Sequence, residues 1–368
     1  MKRTLHFPRW GFWVWCFALL MTGGVCASYL RFAHGISRSG SLADVFPWTL
    51  ITGLNVLCGV AIATGGFTIA ATICILNLEP YRPIVRASLI LSFLGYLVAV
   101  LGLVSSPGRI AFQMGVGNSH SLLLGIAWAF VLFGAVLTLE FTPDLLKRFV
   151  RREPPPWVRF LNMPLLFGAV VFSVLYQTNL ADLLQSLPEK VSPLWSTPQL
   201  PFFFFVSAVS SGLAVIIFAS WHLGVASGKS LSSDRVAGLG KVLAVLLFLY
   251  LGMRIADLVY RGIPLFVWKN NPENVLLGLE MGLILLPILL LANEKNLANP
   301  RIVYVCSGMV LAGLITNRLN TCITSVEAAM NAKYLPEWNE FAVAYSIVAL
   351  GVAAFSLIAK RLPVFPQS

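Results

Sequence analysis

Charge is scarce in this sequence. Of its 368 residues only 11% are Asp, Glu, Lys or Arg, while 58% are hydrophobic and the mean hydropathy is +0.82. A soluble domain usually carries about 25% charged residues. This shortage excludes a soluble enzyme and predicts an all-α polytopic membrane protein. A long polar stretch is also missing, so no second, soluble domain is expected. The cysteines are few and unpaired. Cys16, Cys26, Cys58, Cys74, Cys306 and Cys322 stand singly in apolar segments, with no C-x-x-C. That spacing predicts no iron–sulfur cluster, zinc site or disulfide framework in this chain.

Histidine is scarce too, with four in all: His6, His34, His120 and His222. A b-type haem inside a membrane commonly takes two imidazoles at membrane depth. His6 lies in the N-terminal tail, and the other three fall at the ends of apolar spans. No mid-span pair exists, so neither an intramembrane haem nor a metal site is expected. The phosphate-loop, zinc-protease and nucleophile-elbow patterns are all absent, which removes the motif support for ATPase and hydrolase readings.

What the sequence has in abundance is apolar windows. Ten of them are long enough to cross a bilayer, which takes about 20 residues. They are Trp10–Leu30, Phe46–Leu76, Ala87–Ser106, Ser121–Phe141, Leu161–Leu183, Leu200–Ala226, Lys241–Tyr260, Val275–Ala292, Ile302–Ser325 and Phe341–Ala359. The basic, apolar N-terminus is similar to a signal peptide, but its run continues to about Leu30, as in a retained first helix. Proline, glycine and asparagine punctuate the connections, as at Pro80, Pro154–Pro156 and Asn299–Pro300.

The net charge of +11 follows topology rather than nucleic acid. Seventeen of the 26 Lys and Arg residues fall on the side that holds both termini, and seven on the other. By the positive-inside rule both termini are expected to be cytoplasmic. The strongest basic loop, Lys147–Arg159, suggests a soft division into residues 1–146 (helices one to four) and 160–368 (helices five to ten).

Two sets of polar residues inside the spans are candidates for function. Thr52, Asn55, Gly59, Ala63, Gly66 and Ala70 recur at spacings of three and four, so they share one helix face. Small residues let helix backbones approach, and polar ones bond across helices. This stripe is therefore expected to face protein or a cavity. The second set is Arg254, Asp257, Glu280 and Arg318 in spans seven to nine, roughly 8 to 10 Å inside the non-cytoplasmic edge at 1.5 Å per residue. Unpaired charges at such depth are costly. One ion-paired cluster is expected, serving structure or a proton path.

Several ordered segments carry a resemblance to a known family. They include LADVFPWTLITGLNVLCGVAIATGGFTIA, EPYRPIVRASLILSFLGY, LEFTPDLLKR, SPLWSTPQLPFFF, MRIADLVYR, LPEWNE and the C-terminal AKRLPVFP. Over nearly its whole length the chain resembles the NrfD/polysulfide-reductase membrane-subunit family. Within that family it looks most like the HybB-type "cytochrome b" subunit of nickel–iron hydrogenases. The resemblance implies a haem-free membrane subunit that passes electrons between quinone, menaquinone or ubiquinone, and an iron–sulfur subunit docked on the periplasmic side. A hydrogenase-like catalytic subunit would complete the complex in a bacterial or archaeal cytoplasmic membrane.

A quinone pocket is then expected near the non-cytoplasmic ends of spans one to four. Its candidate donors are His34, Asn55, Arg109, His120, Tyr176 and Gln177. The chain departs from the family at three places: Ser105, Ser106 and Pro107 precede Gly108–Arg109, Gly125 stands for an acid in span four, and Tyr176 stands for a histidine. These losses bear on proton delivery to a quinone. They keep open a structural anchor without quinone chemistry. A secondary transporter is the other alternative.

Overall fold

The structure is a computed structural model that describes residues 12–34, 46, 48–105, 131–132, 134–135, 156–185, 191–227, 231–263, 272–361 and 364–365. Every regular element among them is helical. The chain runs α1 (Phe12–His34), a π-helical turn (Thr52–Leu57) that continues as α2 (Cys58–Ile75), α3 (Arg82–Ser105), α4 (Pro156–Gln185) and α5 (Leu200–Ser227). It goes on through α6 (Ser233–Tyr260), α7 (Pro272–Leu291), the short α8 (Glu294–Leu297) and α9 (Pro300–Leu319). A second π-helical turn (Asn320–Thr324) leads into α10 (Ser325–Met330), and α11 (Trp338–Arg361) closes the chain.

Hydrocarbon offers no partner for backbone N–H and C=O groups, so apolar runs of this length satisfy them internally as helices. Among the described residues seven helices are long and apolar enough to cross a membrane; α1 has a shorter apolar run, Trp15–Leu30. Nine of the ten predicted spans coincide with a helix. The fourth, Ser121–Phe141, lies outside the described residues apart from four positions.

The helix ends follow local chemistry. The Asn299 side chain accepts from the Arg301 amide and Pro300 takes the first turn of α9. Asn77 and Asn331 adopt positive φ where α2 and α10 end.

The packing is organised around α2, which lies against both α3 and α5. Glycines permit this. A Cβ at Gly59 would stand 2.7 Å from the Gly95 carbonyl oxygen on α3, and one at Gly212 of α5 would stand 2.6 Å from the Gly66 nitrogen. In the stripe, Asn55, Gly59, Ala63, Gly66 and Ala70 are all buried and Thr52 is half-buried, so this face meets protein. The last helix, α11, packs on α1 and α3, while α9 packs on α5 and α7.

Candidate functional site

The expected charge cluster is two clusters. In the first, Asp257 takes an ion pair from Arg261 at 2.6 Å and a hydrogen bond from the Thr197 hydroxyl at 2.7 Å. Arg254 stands 4.0 Å from the same carboxylate and donates to the Leu194 carbonyl at 2.8 Å. Arg261 also donates to the carbonyls of Pro193 and Ser196. Residues 193–196, between α4 and α5, are thus tied to α6, whose two guanidinium groups satisfy carbonyls that have no helical partner.

The second cluster centres on Glu280, which is fully buried. It accepts from the Trp195 indole at 3.1 Å, the Asn317 amide at 2.8 Å and the Asn320 amide at 3.0 Å. Arg318 donates to Asn317 Oδ1 at 2.9 Å, the Ser207 hydroxyl at 3.0 Å and the Phe204 carbonyl at 3.2 Å, and lies 3.7 Å over the Phe204 ring. Glu280 therefore pairs with neither arginine among the described residues. Neutral amides and an indole satisfy it instead. Tyr250 joins the two clusters: its hydroxyl lies 3.5 Å from Asn317 Nδ2, and its ring meets Phe203, which underlies Arg254.

The partners that sequence reasoning missed are Trp195, Arg261, Asn317 and Asn320. A signal was present, since Asn317, Arg318 and Asn320 put three polar residues within one apolar span. A further buried acid, Glu340 at the head of α11, accepts from the Tyr334 hydroxyl, which itself accepts from the Leu50 amide at 2.8 Å.

The quinone candidates scatter. Arg109 and His120 lie outside the described residues, and His34 closes the backbone of α1. Gln177 donates to Thr64 at 3.2 Å. Thr64 is nine residues along from Asn55, about 13 Å at helical rise, so Gln177 and Asn55 do not share a pocket. Tyr176 is buried in an apolar cluster with Phe46, Trp48 and Leu57.

Asn55 stands apart from the rest. Its side chain has no exposure, and among the described residues neither its amide nitrogen nor its oxygen has a hydrogen-bond partner. It sits on the first π-helical turn, whose Gly53 faces Cys322 on the second π-helical turn. Such turns are frequent at functional sites. A buried amide without a partner costs about 1–3 kcal/mol, so its retention calls for a reason.

Comparison with known proteins brings in three relatives; no family model matches. The chain is 26% identical to an Escherichia coli protein named "Probable Ni/Fe-hydrogenase 2 b-type cytochrome subunit", over 91% of this chain and 88% of that one. It is 27% identical to the "Menaquinone reductase, integral membrane subunit" of Nitratidesulfovibrio vulgaris, over 94% and 89%. A second protein of that bacterium, whose name states no activity, is 27% identical over 94% and 92%. The similarity is end to end in each case, and the two informative names both denote subunits. These names and the apolar helices make this chain a multi-pass membrane protein similar to redox-complex subunits.

Proposed function

We infer that this chain is the integral membrane subunit of a quinone-linked oxidoreductase complex, exchanging electrons between a partner iron–sulfur subunit and membrane quinone. The observation that carries this reading is the end-to-end similarity to a menaquinone reductase membrane subunit and to a hydrogenase membrane subunit. It is read as a HybB-type member of the NrfD family, with both termini cytoplasmic and ten spans. Residues 1–368 form one membrane domain in this reading, which the packing of α2 on both α3 and α5 supports. The iron–sulfur subunit and a hydrogenase-like catalytic subunit dock on the opposite, periplasmic face.

The quinone headgroup is proposed at Asn55, with His34, Arg109 and His120 as further donors. The unpartnered Asn55 amide is suited to donate to a quinone carbonyl, which would supply the hydrogen bond it lacks. Two electrons from the partner and two protons then turn quinone to quinol. Haem is not part of the proposal.

The test is purification of the tagged full chain in mild detergent, followed by a quinone-linked assay on the eluate. The expected result is co-purification of an iron–sulfur subunit and electron exchange with a menaquinone analogue. A stable lone protein would favour a transporter. A complex that exchanges no electrons with quinone would leave only the anchor role.

A further inference from the structure

A cavity of about 560 Å³ lies between α2, α3, α5, α9 and α11, in the size range of small-molecule sites. Its walls are almost wholly apolar; Leu94, Val215 and Leu314 are representative. Its polar side chains gather at one end, where His222 on α5 and Lys360 on α11 line it. Arg361 follows Lys360 in the last turn of α11. The cavity opens sideways: Val352, on its wall, is 61% exposed, and Ile315 is 37% exposed. It is a slot with a basic mouth and a lateral opening.

The dimensions are informative. Val348 and Lys360 mark the two ends of the lining on α11, and helical rise puts them about 18 Å apart. One leaflet's hydrocarbon layer is roughly 15 Å deep, half of a ~30 Å core. An apolar void loses the dispersion contacts of its lining. Within a bilayer, a slot open at the side has hydrocarbon chains as its neighbours. The residues at the mouth then decide the headgroup, because basic pockets between membrane helices bind anionic lipid heads.

We propose that this slot is a binding site for one acyl chain of an anionic phospholipid, whose phosphate is held at Lys360 and His222. Tyr304 positions His222. Its hydroxyl lies 3.2 Å from His222 Nε2, and its ring stacks on Trp221 and on Phe218, each 5.1 Å away. The aromatic stack therefore sets the shape of the mouth. The site does not depend on the quinone reading, since any membrane role leaves the slot in contact with lipid.

The test uses the full chain with its co-purifying partners, extracted in mild detergent, with retained lipids identified by mass spectrometry. The wild type is expected to retain an anionic phospholipid in preference to a zwitterionic one. Ala219→Phe, which fills the middle of the slot, is expected to abolish retention. Because Ala219 is buried and the change is able to disturb folding, Val352→Phe at the exposed opening is the second variant, with the same expectation. Lys360→Gln is expected to lower the preference for anionic lipid about fivefold while the chain site stays filled. Val245→Phe, on an exposed face of α6, is the control and should match wild type. Equal retention in wild type, Val352→Phe and Lys360→Gln would overturn the site. Release of quinone, rather than phospholipid, by Val352→Phe would also overturn it, by assigning the slot to an isoprenoid tail.

Discussion

Arg318 and Glu280 are joined through Asn317, whose amide oxygen accepts from the guanidinium at 2.9 Å while its nitrogen donates to the carboxylate at 2.8 Å. One neutral side chain thus serves opposite charges at its two ends, and neither ion is left without hydrogen bonds. Replacing Asn317 with Leu removes one hydrogen bond from each at once. A buried polar group left unsatisfied costs about 1–3 kcal/mol, and more when charged. Asn317→Leu is expected to lower the melting temperature of the detergent-solubilised protein more than Asn317→Gln, which keeps an acceptor for Arg318 and a donor for Glu280. The reverse order would show that Asn317 does not link the two charges.

The same relationship predicts a weak double-mutant coupling. Arg318→Met and Glu280→Gln are expected to couple, because one removes a partner of Asn317 and the other takes the charge from its second partner. In an Asn317→Leu background the coupling should fall to within error. Undiminished coupling there would indicate a direct ion pair, against the geometry.

Asn55 predicts a separation of stability from activity. Its amide makes no hydrogen bond among the described residues, so an apolar side chain of similar size removes an unsatisfied group. Asn55→Leu is expected to leave the melting temperature unchanged or raise it, while quinone-linked turnover falls about tenfold for a lost hydrogen bond near 1.4 kcal/mol. Parental quinone kinetics in this variant would remove Asn55 from the headgroup site.

Close backbone approach along α2 predicts a position-specific effect of bulk. Gly59→Leu places a side chain where a Cβ alone meets the Gly95 carbonyl at 2.7 Å and the Ala99 nitrogen at 3.0 Å. A loss of about 2 kcal/mol or more is expected. Gly252→Leu on α6, where nothing lies within 4 Å, serves as the comparison and should be near neutral. Thermal unfolding of both variants, with membrane levels by immunoblot, decides the matter.

Tyr334 predicts a stability effect unconnected to the quinone. Its hydroxyl accepts from the Leu50 amide and donates to Glu340. Tyr334→Phe leaves a buried amide and a buried acid each short of a partner, for about 1–3 kcal/mol. Tyr334→Phe combined with Glu340→Leu should cost less than the sum of the two single changes. Strict additivity would mean that the two side chains act apart.

The sequence by itself determined the helices and their rough boundaries. Apolar runs of some 20 residues in a chain with 11% charge have one way to satisfy their backbone groups in hydrocarbon. It also showed that the small-residue stripe of the second span would meet protein, but not that Val60, Gly65, Phe67 and Ile69 on the rest of that helix are buried as well. The presence of charges inside spans seven to nine was equally legible. Their partners were not.

Whether Glu280 meets Arg254, Arg318 or an amide depends on the rotation of α6, α7 and α9 about their axes. It depends also on a connection between α4 and α5 that brings Trp195 and the Leu194 carbonyl into the bundle. Separations of tens of residues carry no periodicity, so only the tertiary structure decided them. The same holds for Gln177 and Asn55, which the donor inventory grouped: Gln177 bonds to Thr64, which helical rise puts about 13 Å along from Asn55. The slot mouth at His222 and Lys360 joins residues from α5 and α11, an adjacency set by packing and by no local pattern.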